Sequence, residues 1–286
     1  MWNQKMCLEL MRAPGYEAPE DVVKLYKSVG YDAFFTGWRE GAPIQLFRKL
    51  ADENGMDYQS VHAPWDHAAH MWGSDETLAE AGVQQLCSCL RDTAAAGVPI
   101  MIAHTFVGFH DTEHTPNDFG VECYGKVVRE AERLGVKIAF ENTEGEEYLG
   151  TLLNAFRGDP NVGFCWDTGH EMCYNHSQDL LKLYGSQLIC THLNDNLGIR
   201  DFGGDTTYID DLHLLPFDGI ADWNDIAGRL DAWNFAGPLT FELNRHSKPG
   251  RHENDVYAKM DFVDYITETY KRACRVAALR RGVTNR

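Results

Sequence analysis

Short apolar runs alternate with longer stretches of helical periodicity along the whole chain. The runs fall at 5–10 (KMCLEL), 31–36 (YDAFFT), 57–61 (DYQSV), 99–103, 137–140, 162–166, 188–191 and 239–241. Their length and composition read as buried strands. Between them the spacing predicts helices over 19–29, 43–54, 74–96, 116–134, 146–156, 177–184, 223–233 and 255–279. Acidic residues in the first turn of 19–29, and Ser74 as N-cap of the third helix, are the start signals such helices need. Strand and helix alternate eight times with no linker-like shift in composition, and a helix between two strands is the crossover that parallel pairing requires. The 286 residues therefore predict one α/β domain, a single parallel (β/α)8 barrel over 1–286 that the helix near 255–281 closes. An open doubly wound sheet is the alternative. The even spacing of the units and the lack of a G-x-G-x-x-G turn count against it. The connection at 197–219 is atypically long.

In such a barrel the C-terminal ends of all strands open onto one mouth, where chemistry gathers. The residues at those ends are His62, His104, Glu141, Asp167 with His170 three further on, His192 and Glu242, and the loop after the seventh strand adds Asp211 and His213. A single strand-end histidine is more often a hydrogen-bonded structural residue. Here every one of these residues is a metal-ligand type, which arbitrary polar ends would not give. Glu141, Asp167, His192 and Glu242 come from four consecutive strands, so their tips can meet on one ion. Three carboxylates and an imidazole form an oxygen-rich site suited to one divalent metal, Mn, Mg or Co, and acceptable to Zn. His62, His104, His170, Asp211 and His213 form an outer set that either binds further metal, touches substrate or orients the inner ligands.

Composition narrows the partners. Against 26 Lys and Arg stand 43 Asp and Glu, a net charge of −17. Binding to nucleic acid rests on clustered Lys and Arg, so a nucleic-acid partner is disfavoured. No apolar run is long enough to span a membrane, and MWNQKMCLELM lacks a signal-peptide layout, which predicts a cytoplasmic protein. The eight cysteines, without a C-x-x-C, fit reduced and buried thiols. The loops expected at the mouth carry Trp38, Trp65 and Trp72 and the acids Asp66, Asp111 and Glu113. Trp38 and Trp65 follow their strands closely and suit stacking on the apolar face of a sugar ring. A subunit interface is the other use of such residues, and a homo-oligomer is compatible with the chain.

The strings F-E-N-T-E-G at 140–145, D-T-G-H at 167–170, H-L-N-D at 192–195, D-L-H at 211–213 and F-E-L at 241–243 resemble the xylose-isomerase-like TIM-barrel superfamily. The resemblance spans nearly the whole chain. It implies that Glu141, Asp167, His192 and Glu242 are shared metal ligands. It also implies that Glu141 and Glu242 are the catalytic acid/base pair of a sugar- or polyol-acting isomerase or epimerase, working through a metal-stabilised enediolate, with phosphorylated sugars left open. In the ketose 3-epimerases an Arg soon follows the seventh-strand His. Here Asn194 occupies that neighbourhood with Arg200 further along, and these two join Trp38 and Trp65 as expected substrate contacts. An inosose-type dehydratase shares the first step. The superfamily also includes type IV apurinic endonucleases, in which His62, His104, His170, Asp211 and His213 would join the four shared ligands to complete a cluster of three Zn ions, and all nine positions are present.

Overall fold

The computed structural model describes residues 4–108, 115–200 and 207–282. Asp111 and Glu113 lie outside them. The elements run β1 (Met6–Glu9), α1 (Pro19–Val29), β2 (Ala33–Gly37), α2 (Ile44–Asn54), β3 (Asp57–His62), α3 (Glu76–Ala95), β4 (Ile100–His104), α4 (Asp118–Leu134) and β5 (Lys137–Glu141). They continue with α5 (Glu146–Ala155), β6 (Val162–Asp167), α6 (Thr168–Cys173), α7 (Leu180–Tyr184), β7 (Leu188–His192), α8 (Trp223–Ala232), β8 (Leu239–Phe241), α9 (Asp255–Lys259) and α10 (Phe262–Leu279). The strands pair in parallel in the order β7-β6-β5-β4-β3-β2-β1-β8. The ring meets between β7 and β8 through a bridge from Leu193 to Phe241. There Leu193 N donates to Thr240 O at 2.7 Å, while Thr240 N reaches only the Thr191 hydroxyl, at 3.3 Å. This is the (β/α)8 barrel the alternation predicts.

Side chains two apart on a strand share a face. Ile102, Ala139, Cys165 and Cys190 form one buried cluster inside the barrel. Each stands two residues before His104, Glu141, Asp167 or His192, so the same parity that fills the interior carries those four to the mouth. The opposite faces of the strands pack with the helices in a larger core that includes Phe34, Tyr58, Phe140, Phe164 and Tyr265. All eight cysteines are free, and seven are buried.

Three boundaries differ from expectation, each for a local reason. Asp75, not Ser74, caps α3, its carboxylate accepting from Thr77 N and Leu78 N at 2.9 and 3.1 Å. The last helix is two: Met260, in extended backbone, ends α9, and Asp261 restarts the chain as α10 by accepting from Val263 N at 2.8 Å. After β6 the chain turns at once into α6, and the expected helix at 177–184 shrinks to α7. His176 and Ser177 hold φ of 52° and 56°, a left-handed conformation that no α-helix accommodates.

The long connection after β7 is tied down by Asp195. Its carboxylate is fully buried and accepts from Asn196 N and Ala221 N at 2.9 and 3.0 Å, and from Phe217 N and Trp223 Nε1 at 2.9 and 2.8 Å. Gly219 must be glycine, because a Cβ there would meet Asp195 Oδ1 at 2.2 Å. One side chain thus fixes the return of a loop that also carries Asp211 and His213. Asp195→Ala leaves four donors without this acceptor, and unsatisfied buried groups cost about 1–3 kcal/mol each before relaxation. The expected loss in urea unfolding is about 3 kcal/mol or more, and a midpoint equal to wild type would show that the knot is dispensable.

Candidate active site

Each ligand-type residue is aimed by its own local chemistry. At β5, Glu141 is fully buried. Its Oε1 lies 2.9 Å from His192 Nδ1 and 3.5 Å from His170 Nδ1, and its Oε2 lies 3.2 Å from His62 Nε2 and 3.4 Å from His104 Nε2. His192 Nδ1 is also 3.1 Å from Glu242 Oε2. Asp167 accepts from His170 N at 2.7 Å, capping α6. Asn142 Oδ1 receives Asp167 N at 2.8 Å, and Asn142 Nδ2 donates to Asp167 O at 2.9 Å, a two-bond clamp on the backbone of β6. Thr168 Oγ1 donates to Asn194 O at 2.6 Å and accepts from Asn194 N at 2.9 Å, locking the D-T-G-H turn to the end of β7. Gly169 permits that approach, since a Cβ there would stand 1.9 Å from Asn194 Oδ1.

The donor atoms of Glu141, Asp167, His192 and Glu242 all lie within 4.8 Å of one another. The single Nδ1 hydrogen of His192 has two carboxylates in front of it and cannot satisfy both. A divalent cation among these four groups meets every one of them, so the residues present fit the metal their types suggest. The outer histidines are pre-set in the same sense. The hydrogen-bond network assigns Nδ1–H of His62 to Ala63 O (2.8 Å), of His170 to Asn142 O (2.9 Å) and of His213 to Glu242 O (3.1 Å). With Nδ1–H so held, loss of the Nε2 proton would leave an inward-facing lone pair, as metal-binding imidazoles are commonly held. His213 Nε2 and His170 Nε2 stand 2.8 and 3.5 Å from Asp211 Oδ1, yet that oxygen has no aligned hydrogen bond among the described residues. Asp211, His170 and His213 thus converge on a second point where a cation could be held once the imidazoles give up their protons, and Asp167 groups with both histidines there.

Burial and mutual charge set the protonation of the set. Burial alone would raise Glu141, but His192 and the other imidazoles hold it well below the carboxylate range. Against the same burial, His192 and His213 bring Glu242 down to about 2. Burial would lower His192 and His213, yet Glu141 and Glu242 for the first, and Asp211 for the second, hold both well above the imidazole range. Asp167 is pushed up to about 6 by burial, which outweighs His170 and His213.

Above the ligands opens a cavity of about 410 Å³. Glu242, His62, His104, His170, Asp211 and His213 form its floor, and Trp65, Val107, Thr143 and Tyr174 are among its walls. Glu141 lies beneath, covered by the imidazoles. Trp65 is half-exposed and stacks on His104 with centroids 5.1 Å apart at 20°. The other expected substrate contacts stand elsewhere. Trp38 turns its indole N–H to Asp92 on α3 at 2.8 Å. Asn194 is fully buried, and its amide donates to both oxygens of Asp167 at 3.1 and 2.9 Å. Arg200 pairs with Asp210 at 2.7 Å. Trp72 is a core residue donating to Thr105 O at 2.8 Å. Sequence reasoning missed Glu9, Glu144, Tyr174 and Lys248 as lining residues, and Asn142 as the clamp. Glu9 was legible in principle, as the polar end of β1.

A family model described as xylose isomerase-like TIM barrel matches residues 23–264. A protein named y4fM from Sinorhizobium fredii (strain NBRC 101917 / NGR234) is 29% identical over 231 residues, covering 70% of this chain and 71% of the relative. Among solved structures, a xylose isomerase domain protein from Planctomyces limnophilus aligns with a TM-score of 0.72 at 14% identity, covering 100% of this chain and 99% of that one. The protein IOLI, solved with a bound zinc atom, gives 0.72 at 17% identity, covering 96% and 98%. A D-psicose 3-epimerase from Clostridium cellulolyticum H10, solved with D-tagatose, gives 0.70 at 14% identity, covering 97% and 100%. At these identities the structural likeness speaks for the fold.

An imidazolium must lose its proton to become a ligand. His192 is held protonated at neutral pH in the metal-free protein, while Glu141 and Glu242 are already ionised. Titrating Zn²⁺ into metal-free protein near pH 7 should therefore release protons, read in a weak indicator buffer. The release falls as pH rises through the imidazole's raised pKa. His192→Ala should release fewer protons and carry sharply less metal by elemental analysis. Equal release and equal metal would remove His192 from the ligand set.

Proposed function

Because the chain belongs to the xylose isomerase-like TIM-barrel family, we propose that it is a metal-dependent isomerase or epimerase of sugars or polyols. The observation that carries this reading is the pair of glutamates flanking His192 Nδ1, at 2.9 and 3.1 Å, in a four-donor set suited to one divalent ion. The 3-epimerases among its structural neighbours give the reading its direction.

A divalent cation bound there supplies positive charge beside a substrate carbonyl, which acidifies the neighbouring C–H. The chain's own residues do the rest. Glu242 opens onto the cavity and is within reach of a substrate proton. Glu141, on the other side of His192, is the partner that takes or returns a proton when His62 and His104 release its Oε2. Trp65 offers a flat apolar face to one side of the ring. Asn142, Thr168 and Asn194 keep Asp167 from moving as charge shifts at the centre. The free, buried cysteines fit our placement of the enzyme in the cytoplasm, and no helix among the described residues is long and apolar enough to cross a membrane.

A second reading, a three-zinc phosphodiesterase acting at abasic sites in DNA, is favoured by one observation. His62 and His104 converge on Glu141 Oε2 while His170, His213 and Asp211 converge on a second point. The acidic cavity and the net charge of −17 weigh against a polyanionic substrate.

Two measurements separate the readings. Incubation with a ketose or inosose substrate in D₂O should place deuterium on the carbon next to the carbonyl. Glu242→Gln and Glu141→Gln should each cut that exchange by about 10²–10⁴-fold, the usual contribution of a positioned acid or base. Protein purified without chelator should carry close to one tightly held divalent ion per chain. Three ions per chain, together with incision of abasic duplex DNA that Glu141→Gln abolishes, would replace this reading with the second.

A further inference from the structure

Glu9 is the one cavity residue contributed by β1, and the metal-ligand set does not use it. Its main chain is pinned: Glu9 O accepts from Tyr26 Oη at 2.6 Å, and the next residue, Leu10, donates its N–H to Phe35 O at 2.9 Å. Cys7, two residues earlier, lies in an interior cluster with Phe35, so strand parity aims Glu9 into the mouth. The carboxyl itself has no hydrogen bond or ion pair among the described residues. A carboxyl largely withdrawn from water and left without a donor is costly to ionise: burial, with Glu242 nearby, pushes Glu9 up to about 7, and a ligand that supplies a donor favours its charged form.

The surroundings say which kind of ligand that is. Among the described residues the carboxylates lining the cavity are Glu9, Glu144, Asp211 and Glu242, its one lysine is Lys248, and the raised imidazoles His170 and His213 are already engaged by Asp211. Lys248 is already committed, its Nζ 3.6 Å from Asp211 and 5.7 Å above the Tyr208 ring. No arginine lines the cavity among the described residues, and the stretches 109–114 and 201–206 contain neither Lys nor Arg. Nearby, Arg245 is spent on Tyr257 O at 3.1 Å and Arg251 on Asp210 at 2.9 Å.

Parallel barrels also bind phosphate on bare helix N-termini around the last strands. In α6, α8 and α10 carboxylates take N–H groups of the first turn. Asp167 accepts from His170 N in α6 at 2.7 Å, and Asp222 accepts from Asn224 N and Asp225 N in α8 at 2.9 and 3.1 Å. An anionic group on the substrate would meet Glu9 and find no cradle.

We propose that Glu9 is a specificity-determining residue that accepts a hydroxyl hydrogen from an uncharged, polyhydroxylated substrate and excludes its phosphorylated form. This rests on the sugar-acting reading, and it settles within that reading which of two substrate classes the site takes.

The test uses Zn-loaded full-length protein at pH 8, above the value of about 7 to which burial raises Glu9, and saturation-transfer NMR with D-tagatose and D-fructose, each alone and each against its 6-phosphate. The free sugars should receive saturation, and the phosphates should bind at least about tenfold more weakly. Glu9→Leu should weaken the free sugars by about tenfold, the loss of one hydrogen bond to a charged acceptor. Glu9→Gln keeps an acceptor oxygen but not the charge, so the gap between free and phosphorylated sugar should narrow severalfold. Circular dichroism and metal content like wild type qualify each variant. Tighter binding of the phosphates, no binding of either form, or free-sugar binding untouched by both substitutions overturns the assignment. Deuterium incorporation is read in parallel D₂O samples. Binding without exchange defeats the isomerase reading and leaves the charge selection standing. Exchange confined to the phosphates defeats the selection and leaves the isomerase reading.

Discussion

Three carboxylates share one imidazole where water is largely excluded, and the upper half of the barrel is organised around that crowding. Like charges this close repel strongly in a low dielectric unless something positive stands among them. The protein restrains each member from outside instead of letting it relax. Asn142 clamps the backbone of Asp167, Asn194 holds both of its oxygens, and Phe35 stacks on His192 with centroids 4.8 Å apart. Buried charges left unpaired are strongly destabilising. The site is therefore poised to take a cation, or failing that protons, and the raised imidazoles are the second outcome.

Much of this was readable from the chain because two simple rules compound. Alternation of strand and helix implies parallel strands, and parallel strands put all their ends at one mouth. Period-two parity then places His104, Glu141, Asp167 and His192 on the inner face, so the residue type at each strand end was enough to assemble them. Glu242 follows the same logic from the position just past the end of β8. The ends of β1 and β2 were the gap. Reading the first strand one residue too long, to Leu10, hid Glu9 behind an apolar neighbour.

What the chain did not reveal depends on orientation in three dimensions. Nothing in the spacing says that Asn194 faces Asp167 and not a substrate. That follows from Gly169 leaving room for it, a contact between two separate loops. Trp38 likewise follows β2 closely but finds a better partner in Asp92 on a neighbouring helix. Trp65, lacking such a partner, stays at the mouth. The split of the last helix at Asp261 and the left-handed pair His176–Ser177 are local overrides of periodicity by capping and turn geometry.

The place where the ring meets deserves a mechanical reading. Adjacent strands elsewhere pair over two or more registered residues, but β7 and β8 meet through one bridge, with a threonine hydroxyl standing in for a carbonyl. His192 sits immediately above that seam on one side and Glu242 on the other. Side chains that grip a common ion across a weakly laddered joint act as a rivet, so the hoop strength of the barrel at this joint is lent by the chemistry above it. The barrel's rim would then be stiff with a metal bound and slack at one identifiable gap without it.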